Sequence, residues 1–356
     1  MKNGKIELLR FYFCMSVFLF HIATDFPDKS IMLTENITFW REGRFGVEFF
    51  FLVSGNLAAS SIFKTLNTTN DLAKDTGRYI VRKIKGILPY HILIILLTLI
   101  YRVVCLEQEF IVTFVQALPN IFFLQMSGLP GKNLINVEWY ISSMLLALCI
   151  LYPICKKYYS FFIRIIAPIA GYLIIGFLIR RIGYLGNPKT FLYFTYSGNL
   201  QAMGEICLGM FSFEVVRCIK ESKSFMVPKW GLSLIELACY VLVFYYMMTD
   251  TFSNEYSGTM CFVLCTAIAL SFSELTWGCK FFNNKICYFL GKFSLPLYLS
   301  QNLVRVIVNN YLGSYRFRYI LLGELLLSFI LSLILLFIVE RFSSFMGTKQ
   351  RIKANR

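Results

Sequence analysis

The chain has 356 residues, 57% of them hydrophobic and 15% charged, with a formal net charge of +15. A soluble domain holds about 45–50% apolar and about 25% charged residues, so disorder, a collagen-like fibre and an ordinary cytosolic enzyme are excluded and a polytopic membrane protein remains. The positive surplus fits cytoplasmic loops facing anionic membrane lipids; no basic stretch carries the interleaved aromatics of a stacking platform, so nucleic acid is not an expected partner.

A helix needs about 20 residues to cross the hydrocarbon. Apolar windows of that size fall at 6–24, 44–63, 87–106, 137–155, 162–180, 198–216, 231–248, 257–273, 286–308 and 319–340. They predict an all-α polytopic integral membrane protein with ten transmembrane helices. The first window contains Arg10 and His21 and lacks an A-x-A cleavage site, so it reads as a retained span rather than a signal peptide. The stretch 110–127 is also apolar, but Pro119 and Asn120 interrupt it, and it reads as an interfacial or re-entrant segment. No internal repeat or Pro/Gly/Ser-rich linker marks a second domain. The expected organisation is one membrane-embedded domain over 1–345 and a basic cytoplasmic tail over 346–356.

Basic residues orient the bundle. With the N-terminus inside, the inner connections hold Lys2, Lys5, the run from Lys64 to Lys85, Lys156, Lys157, Arg164, Arg217, Lys220, Lys223, Lys229, Lys280, Lys285 and the cluster from Arg341 onward. The outer connections hold fewer than half as many: Lys29, Arg41, Arg44, Lys132, Arg180, Arg181, Lys189, Arg316 and Arg318. Both termini are therefore expected in the cytoplasm, with Arg180 and Arg181 on the unfavourable side.

A charge at the centre of a span costs about 2.5–3.5 kcal/mol, which makes such residues candidate functional sites. Arg10 and His21 lie eleven residues apart in the first window. At about 100° and 1.5 Å per residue they share one helical face, roughly 16 Å apart, and are expected to line one cavity. Glu48 stands at the entrance of the second window and, facing His21, would orient its ring; pairing with Arg44 is the bland alternative. Ser54-Gly55 follows, where glycine permits close helix contact and serine can bond across it. In RYIVRKIKGILPY, Arg78, Arg82 and Lys85 fall along one face at the cytoplasmic end of the third window. That face suits a polyanion such as the phosphates of coenzyme A, but positive-inside anchoring alone also explains it and is the favoured reading from charge alone. Other polar residues in the windows (Glu205, Lys292, Arg305, Glu324) read as partners for one another, and Asn199-Leu200-Gln201 as an outer segment within reach of an acceptor. Eleven scattered cysteines with only two histidines make no metal site, and the cysteines read as small core hydrophobes.

Taken in order, these segments resemble the membrane acyltransferase-3 family, which transfers acyl groups, mostly acetyl, onto sugars of surface polysaccharides. The likeness rests on Arg10 to His21, on Gly46-Val47-Glu48-Phe49-Phe50-Phe51 with Ser54-Gly55, and on Arg82 to Pro89 with Tyr90. It continues through Trp139-Tyr140-Ile141 to Tyr152-Pro153, the segment Ser294-Leu295-Pro296-Leu297-Tyr298-Leu299-Ser300, and Glu340-Arg341. Two departures stand out: Asn56 replaces the phenylalanine that often follows Ser54-Gly55, and Gln301 stands where the late motif usually continues into histidine. The resemblance implies acetyl-CoA as donor from the cytoplasm, its phosphates held by Arg78, Arg82 and Lys85 and its thioester directed toward Arg10. It implies a glycan or lipid-linked sugar as acceptor from outside, with His21 as general base or acyl carrier and Glu48 orienting it. Trp139 and Tyr140 would stack on the sugar, and Gln301 could bind one of its hydroxyls. His91, next to Pro89-Tyr90, would lie near the donor without a fixed role, so its replacement is expected to be mild. Rival readings are a transporter or flippase of lipid-linked sugars, and the same fold using another donor such as succinyl-CoA. The expected location is a bacterial-type cell membrane.

Overall fold

The computed structural model describes residues 3–25, 32–34, 37, 38, 40–67, 71–129, 134–221, 227–248 and 253–354. Lys2, Lys29, Lys132 and Lys223, counted above as orienting cations, lie outside them. The helices are α1 Gly4–Asp25, α2 Gly46–Lys64, α3 Leu72–Val104, the short α4 Phe110–Ile121 and α5 Trp139–Lys157. A single turn, α6 Tyr159–Phe161, runs through a π turn into α7 Ala167–Ile182. Then come α8 Ser197–Glu221, α9 Lys229–Met248, α10 Ser257–Ser273, the single turn α11 Cys279–Phe282, α12 Lys285–Leu312 and α13 Phe317–Ala354. Described strand structure is confined to two small hairpins in connections. The chain is an all-α polytopic membrane protein.

Each of the ten apolar windows coincides with a helix, but eight described helices are both long and apolar enough to cross a membrane. The two others, α8 and α12, have the length but carry no window that is both apolar enough and nearly free of charge. Their packing supplies the reason. α8 is enclosed by α2, α5, α7 and α10, and α12 by α1, α3 and α13. A helix shielded from lipid by its neighbours has no need of an apolar surface.

Three helix contacts position the interior. α2 and α8 meet most closely, because a Cβ on Gly55 would stand 2.2 Å from the Ile206 carbonyl oxygen and one on Gly209 would stand 2.1 Å from that of Leu52. Asn56, unusual for its position, is buried and donates to Ser212 Oγ at 3.0 Å across the same contact. α1 and α12 run parallel: Gly4 N donates to Asn283 Oδ1 at 2.8 Å, Cys14 Sγ to the Ser294 carbonyl at 3.2 Å, and His21 meets Arg305 further along. α3 and α5 run antiparallel and are tied at two levels, by Asp75 with Lys156 and by His91 with Glu138, with the Tyr79 and Tyr152 rings stacked 4.3 Å apart between them.

α3 starts well before its apolar window, capped by Asp71, whose carboxylate accepts from Lys74 N at 2.9 Å. Its 33 residues extend about 50 Å, beyond the roughly 30 Å of hydrocarbon, so the basic run is helix rather than loop. α4, at 12 residues about 18 Å long, is too short to span. It doubles back along α3 until the Asn120 carbonyl meets His91 Nε2 at 3.0 Å, in keeping with the re-entrant reading of 110–127.

Candidate active site

Three cavities follow one another through the bundle between α1 and α12. The first, about 340 Å³, is lined by Glu7 and Arg10 of α1, Tyr90 of α3, Tyr288 and Lys292 of α12, and Glu340 of α13. Lys292 pairs with Glu340 at 3.2 Å, so the expected pairing of Lys292 with other intramembrane acids is made with the motif residue of α13. The second cavity, about 210 Å³, shares Arg10, Gly291 and Leu295 with the first and adds Ser54, Lys83, Ile87, Tyr140 and Tyr298. The third, about 290 Å³, is lined by His21, Arg44, Val47, Trp139, Arg305, Tyr298 and the loop from Gly186 to Lys189. Tyr298 is the one residue that the second and third have in common.

Arg10 and His21 do share the α1 face that looks at α12, as their spacing predicts. They line different cavities, however, and the expectation of a single one is corrected: Tyr298 stands between them, its hydroxyl donating to the Val137 carbonyl at 2.6 Å. Arg10 is held by Glu7 at 3.3 Å.

Glu48 does not orient His21. It is fully buried, its Oε1 accepts from Gln201 Nε2 at 3.1 Å, and its Oε2 has no hydrogen-bond partner among the described residues. Nor does it take Arg44, which pairs with Glu42 at 2.8 Å. Val47 faces the third cavity; its neighbour Glu48, about 100° further round α2, faces α8 and the equally buried Glu205. Gln201 links this carboxylate to the third cavity all the same, since its Oε1 accepts from Gly186 N at 3.1 Å, at the start of the lining loop. The residue beside His21 is instead Arg305, with Nη1 3.5 Å from Nδ1.

The cations on α3 are redistributed too. Lys83, Ile87 and Tyr90 form the stripe that faces the cavities, while Arg78, Arg82 and Lys85 are exposed and line none of the three. Arg78 pairs with Asp75 at 3.4 Å. Lys83 belongs to the same basic run and stands about 100° round α3 from Arg82; the position of the cavity wall, which sequence does not give, decides which of the two faces inward.

Trp139 and Tyr140 part company: consecutive on α5, the first faces the third cavity and the second faces the second, packed against Phe51 at 4.7 Å and Tyr298 at 6.0 Å. They do not form one stacking surface. Gln301 lines none of the three cavities; its amide turns back to donate to the Tyr298 carbonyl at 2.8 Å. On the same strip of α12, Tyr298 and Arg305 line the cavity in its place. His91 lines none of the three cavities either. It is fully buried, with Nδ1 2.7 Å from Glu138 Oε1, its ring stacked 4.0 Å from Phe123, and Glu138 Oε2 accepting from Gln125 at 2.5 Å. No group of three or more His, Cys, Asp or Glu side chains that could hold a metal occurs among the described residues.

Polar groups lining an aligned series of cavities, a histidine in one and an arginine–lysine pair in the next, suit two reactants that meet from opposite ends. Comparison with curated proteins and with solved structures finds no match. A family model described as an acyltransferase domain matches residues 3–341, nearly the whole chain, and the protein belongs to the acyltransferase-3 family.

Proposed function

We propose that this acyltransferase moves an acetyl group from cytoplasmic acetyl-CoA to a hydroxyl of a surface or lipid-linked glycan that enters from outside, within a bacterial-type cell membrane. One observation carries the reading: Arg10 and His21 lie on one face of α1 but in separate, adjoining cavities. The reading takes the chain to cross the membrane ten times with both termini cytoplasmic, as one domain over 1–345 with a basic cytoplasmic tail over 346–356. A donor site and an acceptor site divided by one side chain fit an enzyme better than a transporter, for which broken helices in matching halves are the expected feature.

At about 210 Å³ the second cavity is below the usual 300–1,000 Å³ of small-molecule sites, so it suits only the narrow thioester end of the donor. Arg10 and Lys83 face that end, and the exposed Arg78, Arg82 and Lys85 remain for the phosphates. The acceptor hydroxyl meets His21 in the third cavity, where Trp139 offers a face to the sugar ring. The hydroxyl oxygen bonds to the acyl carbon and its proton passes to His21. The carbon–sulfur bond breaks, and the departing sulfur takes the proton, leaving an ester and a free thiol.

The test is incubation of purified protein with radiolabelled acetyl-CoA and candidate glycans, following thiol release and label in the glycan. His21→Ala should lose about 10²–10⁴ in rate while remaining folded. Wild-type transfer by a well-expressed His21→Ala variant would overturn the mechanism. Glycan translocation without thiol release would favour the transporter, and a product mass heavier than acetyl would identify another donor such as succinyl-CoA.

A further inference from the structure

The wall of the second cavity carries two hydroxyl groups that share a poor hydrogen-bond partner. Ser54 of α2 and Tyr140 of α5 both line it, beside Arg10 and Lys83. Ser54 Oγ donates to Met144 Sδ at 3.3 Å, and the Tyr140 hydroxyl donates to the same sulfur at 3.4 Å. The two hydroxyls are also within bonding reach of one another. A thioether sulfur is a weak acceptor. Two donors from different helices that converge on it are placed to serve a stronger one, and a bond to an ionised oxygen is roughly twice as strong as one between neutral groups.

Packing fixes both donors. The Tyr140 ring lies against Phe51 at 4.7 Å, Phe50 at 5.8 Å and Tyr298 at 6.0 Å. Ser54 is buried on the turn of α2 that Gly55 presses against the α8 backbone. Met144 stands one turn beyond Tyr140 on the same face of α5. Donors held in this way need little reorganisation when charge develops in front of them.

We propose that Ser54 and Tyr140 are the oxyanion-binding pair of the reaction: they leave Met144 Sδ and donate to the carbonyl oxygen of the thioester. This deepens the acyl-transfer reading and rests on it. The acceptor oxygen bonds to the acyl carbon, and the carbonyl π pair moves onto the carbonyl oxygen, where the two hydroxyls stabilise it. When the carbon–sulfur bond breaks, that pair returns to re-form the carbonyl. The sulfur leaves with the bonding pair and takes the proton that His21 accepted. Ser54 and Tyr140 are thereby catalytic residues, and Tyr140 serves the donor rather than the sugar ring.

The experiment uses the full chain in detergent and acetyl-CoA labelled with carbon-13 at the thioester carbonyl. Isotope-edited infrared spectra are taken without acceptor, and thiol release is then followed with the glycan that the wild type acylates. The bound carbonyl band should lie at lower frequency than in the free donor, and should move back toward it in Tyr140→Phe and in Ser54→Ala. Each variant should lose about 10²–10³ in kcat, because each removes one oxyanion donor, with little change in KM for acetyl-CoA. Should Ser54→Ala fail to fold, Tyr140→Phe carries the test alone. A bound carbonyl that both variants leave unmoved, or a loss confined to melting temperature or KM with kcat intact, makes the hydroxyls packing groups and overturns the proposal. A wild type that binds acetyl-CoA, shifts its carbonyl band and acylates no glycan overturns the choice of acceptor and leaves the oxyanion pair standing. A wild type that binds no acetyl-CoA overturns both.

Discussion

The two histidines show how differently the same residue type can be used. His21 is half-buried beside a cavity; His91 is sealed between the Glu138 carboxylate and the Asn120 carbonyl. Removing the His91 ring takes away the group 2.7 Å from Glu138 Oε1 and strands that carboxyl group in the interior. His91→Ala is therefore expected to be damaging rather than mild, costing about 3–5 kcal/mol and lowering the melting temperature of the solubilised protein. Replacing both His91 and Glu138 with leucine should recover most of that loss, because no uncompensated charge remains. A single variant that melts with the wild type would disprove the coupling. The same contrast runs through the cations. Arg10 and His21 were legible in the sequence because an ionisable residue stands out in an apolar window. Lys5 and Lys156 were read as orienting charges, yet Lys5 is buried against Glu236 at 2.8 Å and Lys156 against Asp75. Counting charges gives a side of the membrane, not a partner. Glu138 went unremarked because nothing local in the sequence announces a pairing that spans 47 positions to His91.

Among the elements, hydropathy located every long helix but misjudged where α3 begins. Hydropathy marks the lipid-facing part, whereas arginine and lysine are themselves good helix formers, so α3 extends through its basic run. The glycine of Ser54-Gly55 was read as a point of close helix approach, and the structure bears this out with Gly209 as its counterpart on α8. This yields a paired prediction. Gly209→Ala drives a Cβ into the Leu52 backbone, which cannot rotate aside as a side chain can, and should destabilise by about 1–3 kcal/mol. Gly77→Ala in α3 meets nothing within 4 Å and should stabilise by up to about 1 kcal/mol through helix propensity. Opposite shifts in melting temperature are the expected result. A tolerated Gly209→Ala would mean that the two helices can part without loss.

Across the whole molecule, the decisive feature is the partition at Tyr298, which no motif marks as such. The sequence put Arg10 and His21 on one face of one helix correctly, but a helical wheel cannot reveal that a ring from α12 divides the space in front of that face. The division has a use in acyl transfer. A thioester is vulnerable to water, and a site open from one end to the other would hydrolyse its donor. Tyr298 is held in place by its hydroxyl bond to the Val137 carbonyl and by the Tyr140 ring 6.0 Å away, so in the proposed reaction it would shield a thioester in the second cavity from water in the third. Tyr298→Ala joins the two cavities and should raise acceptor-independent thioester hydrolysis relative to transfer. Tyr298→Phe keeps the ring, gives up only the hydroxyl bond at a cost of about 0.5–1.5 kcal/mol, and should stay near the wild-type ratio. The measurement is thiol release from acetyl-CoA with and without acceptor. If Tyr298→Ala transfers and hydrolyses in the wild-type proportion, the ring is packing and not a barrier, and the two cavities act as one.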